Sequence, residues 1–411
     1  MKKRGSLVLE DGDVFDGKLF GSEPLYPERI RKRLNASALE NSEHNGEGLF
    51  ASPLGTGEIV FNTAMSGYHE ILTDPSYTGQ IVTMTYPHIG NYGCLEEWAE
   101  RGPETGAERK QIKASGLVVR SVYRGPIHQN RESISQFLSS QDIPGLTEVD
   151  TRRLTLRIRD KGAPRGIIVG VPEERNELKN EEIEICREFL KMVPEMEGRN
   201  LLSYVGTNKN IEYGDTGSKV AVLDCGIKRT ILEELRKRKV KVTLFPSDAK
   251  PEDVLAIKPK GLLVSNGPGD PGVLSEQIHL LTSLIGAIPI TGICLGHQLL
   301  CLALGANTYK MKFGHHGANH PVRDITSGKV FVTSQNHGFA VDEKSLPKEV
   351  KVWCKNANDN TLEGVISEAK MIQSVQFHPE AAPGPRDSLW IFDSFLRMMG
   401  ISDTNRRQAH A

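Results

Sequence analysis

Between Lys219 and Leu304 this 411-residue chain alternates short apolar runs with amphipathic ones, and that alternation restricts the fold more than any other feature. Strand-like segments at Lys219 to Leu223, Val240 to Phe245, Gly261 to Val264 and Ile288 to Ile293 are separated by helical patterns at Arg229 to Arg238, Pro251 to Ile257 and Leu274 to Ile285, with another at Gln298 to Leu304. Continuously apolar strands joined by helices demand a parallel α/β sheet covered on both faces and wound right-handed. In such sheets ligands gather at the carboxyl ends of the strands, so chemistry is sought there.

One strand end carries it. Ile288 to Ile293 runs into Gly292-Ile293-Cys294-Leu295-Gly296 and then into a helix. This is the thiol form of the elbow in which glycines flank a sharp strand-to-helix turn and lift a nucleophile above the sheet. A cysteine at a helix N-terminus is favoured as thiolate by the helix dipole, and the backbone N–H of Leu295 is placed to hold an oxyanion. The alternative, a buried structural cysteine in a tight turn, does not account for elbow, strand and helix together. Cys301, two turns further, reads as core. A thiolate needs a base, and His378-Pro379-Glu380 follows the apolar run Ile372 to Phe377. The residue before a proline is extended, so His378 and Glu380 can project to one side, where Glu380 orients the imidazole.

A third strand end carries Ser265-Asn266-Gly267-Pro268-Gly269-Asp270-Pro271-Gly272, a formal match to G-x-G-x-x-G. Its prolines remove N–H groups that a pyrophosphate would use, and it follows the third strand of the domain instead of the first, so a second oxyanion contributor fits better. His315, His316 and His320 could suggest a metal, yet no nearby carboxylate or cysteine completes a ligand spacing. A structural or substrate-edge loop without metal is expected there.

The remaining chain is organised differently. At roughly 100 to 200 residues per domain, two domains are expected. The first half alternates around Asp11-Gly12 as a hairpin and mixes strand runs at Glu58 to Asn62, Gln80 to Thr85, Gly116 to Val122 and Gly166 to Val169 with helical patterns at Ser133 to Ser140 and Asp150 to Asp160. It is therefore an α+β domain over 1–194, interrupted by a polar insertion at about 23–54 whose run Arg29-Ile30-Arg31-Lys32-Arg33 reads as a solvated helix face. Residues 195–218 read as a linker, 219–400 as the α/β domain and 401–411 as a tail. With 51 basic and 52 acidic residues the formal charge is -1, which gives no electrostatic case for nucleic acid or an anionic membrane. No signal-peptide or membrane-spanning run and no paired cysteine spacing is found, so a cytoplasmic chain with free thiols is expected.

Taken in order, Ser265–Pro271, Gly292–Leu299 and His378–Glu380 resemble the class I glutamine amidotransferases, whose shared α/β fold carries a Cys-His-Glu triad. Phe61-Asn62-Thr63, Gly67-Tyr68, Glu70–Tyr77, Tyr86–Asn91, Asp150-Thr151-Arg152, Lys312–Pro321 and Gln335–Val341 resemble, more narrowly, the carbamoyl phosphate synthase small subunits. The resemblance implies glutamine hydrolysis through a thioester on Cys294, with His378 as base and then acid and Glu380 orienting it. It implies glutamine contacts at Ser76, Gly267, Gly269, Leu295, Gln298, Asn336, Gly338 and Phe339. It further implies ammonia delivery to a separate large subunit, which uses ATP, bicarbonate and metal ions to make carbamoyl phosphate for arginine and pyrimidine synthesis; this chain itself would need no cofactor. The absence of G-x-x-x-x-G-K-[ST] agrees with that division of labour. The 23–54 insertion and Thr155-Leu156-Arg157 depart from the family pattern. The readings left beside it are the glutaminase of another amidotransferase, such as those of anthranilate or GMP synthesis, a stand-alone γ-glutamyl hydrolase, and a catalytically silent scaffold.

Overall fold

The computed structural model describes residues 3–39, 55–103 and 111–401. The chain divides into two compact units, Met1–Ala99 with Lys110–Met196, and Glu100–Arg109 with Glu197–Ala411. The segment after Ala99 thus belongs with the second unit, whereas the sequence suggested one uninterrupted first domain. Local periodicity cannot reveal such a crossing, because it is decided by partners far away in sequence.

In the first unit the Asp11-Gly12 turn forms as expected, with Gly12 at φ 93°, and pairs Arg4–Leu9 antiparallel to Val14–Gly21. These strands continue through Pro144–Thr147, Gly116–Val118, Gln80–Met84, Thr56–Asn62 and Arg165–Gly170 into a closed barrel, in that order. Closure leaves no strand edge open. Helix Pro27–Leu39 and helix Asn180–Lys191 pack outside it, where Ile30, Phe189 and Leu190 share a buried cluster with Val8 and Ile167. Arg29, Arg31 and Lys32 flank Ile30 and stay exposed, as a solvated helix face requires; residues 40–54 of the insertion lie outside the described residues.

The second unit holds a ten-stranded sheet among its described residues. Val240–Pro246, Ser218–Asp224, Leu262–Val264, Ile290–Ile293 and Ile372–Val375 lie side by side and parallel, giving the α/β core that the alternation predicts. Helices Arg229–Lys237, Ser275–Leu284, Leu295–Ala303 and Trp390–Met398 flank the sheet, and two apolar layers, one around Val222, Leu244 and Phe392 and the other around Leu223, Val264 and Leu299, form the core. Antiparallel strands extend it on both sides. Ile211–Tyr213, inside the segment read as a linker, pairs with Val240–Pro246, while Leu362–Ser367, Lys351–Asn356, Thr308–Asp324 and Val330–Val341 continue the sheet beyond Ile372–Val375. No helix among the described residues is long and apolar enough to cross a membrane.

Candidate active site

The parallel strands end where the sequence placed the chemistry. Cys294 sits between strand Ile290–Ile293 and helix Leu295–Ala303 at φ 55° and ψ -106°, a strained positive-φ conformation that an L-residue holds only when its surroundings enforce it. Two glycines allow the bend. A Cβ on Gly296 would lie 2.2 Å from the Val264 carbonyl oxygen, and one on Gly292 would lie 2.5 Å from the Gly296 carbonyl oxygen. The helix begins at Leu295 and not at Gln298, because the elbow leaves no loop between strand and helix. As the first helical residue, Leu295 has no intrahelical acceptor for its N–H.

The thiol of Cys294 is buried, 2% exposed, and donates to the Asn336 carbonyl at 3.6 Å while accepting from Gln376 Nε2 at 3.7 Å. His378 lies beside it. Its Nδ1 meets Glu380 Oε1 at 2.7 Å, so Nε2, buried and without a hydrogen-bond partner, is the nitrogen left to serve the sulfur, whose charge acts on the ring. Burial works against the imidazolium, but Glu380 and Cys294 together hold His378 well above its ordinary value. Glu380 shifts the opposite way. Burial pushes its carboxyl up, and Lys228 and His378 more than reverse that, so it stays charged far into acid.

Lys228 is a residue that the sequence reading missed. Its ammonium is 2% exposed, 3.0 Å from Glu380 Oε1 and 4.0 Å from Glu100 Oε2, and it donates to the Ala381 carbonyl at 2.5 Å. Asp224 fixes the turn that carries it, accepting from Gly226 and Ile227 N–H at 2.9 Å each, and Asn266 Oδ1 accepts the Lys228 N–H at 3.0 Å. Burial pushes Glu100 up to about 7 despite the Lys228 charge. The only sequence signal was position: Lys228 follows the first strand of the parallel sheet, at the edge where ligands bind.

Of the glutamine contacts expected from the resemblance, all but Ser76 lie in the second unit. Gln298 donates through Nε2 to the Phe339 carbonyl at 2.8 Å and to Gln376 Oε1 at 3.0 Å, and Asn336, Gly338 and Phe339 follow one another on the strand against which Cys294 rests. Gly267 and Gly269 form the turn after Leu262–Val264. A Cβ on Gly267 would fall 2.0 Å from the Cys225 carbonyl oxygen, so only glycine fits. Ser76 belongs to the first unit, in the short 3₁₀ turn Pro75–Tyr77 that Asp74 caps by accepting its N–H at 2.9 Å.

Comparison with known proteins is consistent across the chain. The class I glutamine amidotransferase family model matches residues 221–398, and the carbamoyl-phosphate synthase small chain CPSase-domain model matches 38–168. A carbamoyl phosphate synthase small chain from Methanopyrus kandleri is 43% identical over 397 residues, covering 96% of this chain and 99% of that one. Its counterpart from Methanocaldococcus jannaschii is 42% identical, covering 95% and 98%. The chain belongs to the carbamoyl phosphate synthase small chain family. A solved glutamine amidotransferase from Thermotoga maritima is 20% identical, with TM-score 0.33, covering 45% of this chain and 86% of that one.

In this member of the carbamoyl phosphate synthase small chain family, the histidine-rich segment is not the loop that the sequence suggested. His315, His316 and His320 lie on strand Thr308–Asp324, and the carboxylates missing locally arrive from elsewhere. Asp359 Oδ2 is 2.8 Å from His315 Nε2, and Glu363 Oε1 is 3.6 Å from Nδ1. His315, His337 and Glu363 bring one ligand-type atom each within 4.8 Å, a grouping that no local spacing announced. Burial opposes the His315 imidazolium, but Asp359 and Glu363 raise it to about 9, so the group stands as an ion pair. His337 donates from Nδ1 to the Phe339 carbonyl at 2.7 Å and His316 Nδ1 meets Asn336 Oδ1 at 2.8 Å, so the network braces the strand on which Asn336, Gly338 and Phe339 lie.

Proposed function

We propose that this chain hydrolyses glutamine and supplies ammonia to a carbamoyl phosphate synthase large subunit. One observation carries the reading: the strained, buried Cys294 thiol shares its pocket with, and acts electrostatically on, an imidazole whose Nδ1 is held 2.7 Å from Glu380. The Cys294 proton passes to His378 Nε2 and the thiolate attacks the side-chain amide carbon of glutamine. Negative charge that develops on the amide oxygen falls to the Leu295 N–H and to the loop at Gly267. The tetrahedral adduct collapses as the imidazolium protonates the departing nitrogen, so ammonia leaves and a glutamyl thioester remains. Water, deprotonated by the same imidazole, then cleaves the thioester to glutamate and restores the thiol. Gly269, Gln298, Asn336, Gly338 and Phe339 surround the bound glutamine.

Ammonia released in water at neutral pH becomes ammonium and loses its lone pair, so transfer through a protected channel to a partner that holds ATP and bicarbonate follows from the chemistry. The product would feed arginine and pyrimidine synthesis in the cytoplasm. Cys294→Ser should abolish glutamine-dependent carbamoyl phosphate synthesis by the complex while synthesis from added ammonium salts continues. Loss of both would contradict a role confined to glutamine hydrolysis.

A further inference from the structure

Gln376 is fully buried, two residues before His378, and is neither part of the triad nor among the expected glutamine contacts. Its backbone N–H is taken by the Glu363 carbonyl at 2.8 Å, which fixes the chain where strand Ile372–Val375 ends. The direction of its amide follows from a short chain of hydrogen bonds. A backbone carbonyl can only accept, so the group of Gln298 that faces the Phe339 carbonyl at 2.8 Å must be its NH2. The same NH2 also lies 3.0 Å from the Gln376 side chain, which therefore turns its oxygen to Gln298 and its NH2 to the sulfur of Cys294, 3.7 Å away.

We propose that Gln376 is a further catalytic residue: its amide N–H is the fixed neutral donor that holds the Cys294 thiolate once the proton has moved to His378. The sulfur has two neighbours with opposite preferences. The Asn336 carbonyl, 3.6 Å away, accepts the S–H and favours the neutral thiol. The Gln376 N–H strengthens when the sulfur becomes an anion, because a hydrogen bond to a charged acceptor is roughly twice as strong as a neutral one. Gln376 transfers no proton. The sulfur's proton goes to His378 Nε2, the sulfur's electron pair forms the bond to the amide carbon, and the C–N electrons leave with ammonia. When the sulfur becomes a neutral thioester the Gln376 bond weakens, and it re-forms as the thioester is hydrolysed.

This inference rests on Cys294 being the nucleophile, and the test separates the two. In the full-length chain without glutamine, the rate of Cys294 alkylation by iodoacetamide is followed from pH 5 to pH 10 by mass spectrometry of its peptide, alongside kcat and KM for glutamine hydrolysis. Gln376→Met keeps the bulk and loses the donor. Its alkylation midpoint should move up by about half to one pH unit, with kcat about three- to tenfold lower, a smaller change in KM, and rates that converge with the wild type near pH 10. Gln376→Glu should move the midpoint further, since a carboxylate then faces the thiolate. Gln376→Asn, whose amide is withdrawn by one methylene, should also move it up, and it serves if the methionine variant does not fold. An unchanged midpoint in any of these that melts like the wild type overturns the role of Gln376. Undiminished glutamine hydrolysis by Cys294→Ser would instead remove the nucleophile itself.

Discussion

Lys228 shows how much of the site depends on a side chain that touches neither sulfur nor imidazole. Its ammonium sits between Glu380 and Glu100, in a place where water cannot screen it. Lys228→Met takes from Glu380 the larger of its two cationic partners, and breaking a buried pair from one side costs about 3–5 kcal/mol. Urea unfolding should show that loss, and glutamine hydrolysis should fall at least about tenfold as Glu380 loosens its hold on His378. Wild-type stability together with wild-type turnover would refute the dependence. His315 makes a second prediction. Because Asp359 and Glu363 raise its folded value to about 9, its contribution is complete below the unfolded value near 6.5 and is lost as the pH rises through about 9. The thermal midpoint should therefore fall between pH 6.5 and 9, and Asp359→Asn should flatten that fall. An equal slope in the variant would exclude His315 as its source. Cys294, His378 and Glu380 were legible because their local patterns, the elbow and the His-Pro-Glu turn, have meaning without the rest of the chain. Lys228, Glu100 and Glu363 were not, because a charged residue in a polar stretch reads as solvated until its burial is seen.

Helices and strands were legible in proportion to how far their own sequence determined them. The parallel strands and their helices follow the predicted bounds within a few residues, since each strand is built around buried apolar residues and the helices present apolar faces to them. Thr308–Asp324 and Val330–Val341 form a long antiparallel pair that the sequence did not disclose. Gly314, His315, His316 and Asn319 break any apolar alternation, and it is pairing across the hairpin that makes these residues a strand. Pro144–Thr147 and Tyr68–Thr73 were missed for a simpler reason: with 4 and 6 residues they are too short to show a period. The elbow gives the test at this scale. Gly296→Ala would set a methyl 2.2 Å from a backbone oxygen of Val264, which no rotamer change can relieve. The helix must shift, costing about 1–3 kcal/mol, and it carries Leu295 away from the developing oxyanion. Calorimetric melting and glutamine hydrolysis should both fall; an active variant of unchanged melting temperature would mean that the close approach is not required.

For the molecule as a whole, the class I glutamine amidotransferase family model falls within the second unit, and the sequence lacks a P-loop. The isolated chain should therefore bind no ATP, and calorimetry that showed tight stoichiometric binding would count against assigning the synthetase steps to another subunit. The two units were legible as two, since the change from mixed patterning to strict alternation is visible in the sequence, but the excursion at Glu100 was not. That excursion limits how the protein can be dissected. Thr230 Oγ1 donates to Glu100 Oε1 at 2.6 Å, and the N–H of Arg229 donates to the Glu100 backbone carbonyl at 2.8 Å, so the start of helix Arg229–Lys237 is capped by a residue encoded almost a hundred codons upstream of the unit's main run. A gene trimmed to begin at Glu197 would omit that cap together with one of the two carboxylates beside Lys228. Such a fragment, although it holds the whole stretch matched by the amidotransferase family model, should emerge from expression poorly soluble, and adding back the upstream piece as a separate polypeptide is the complementation expected to rescue it.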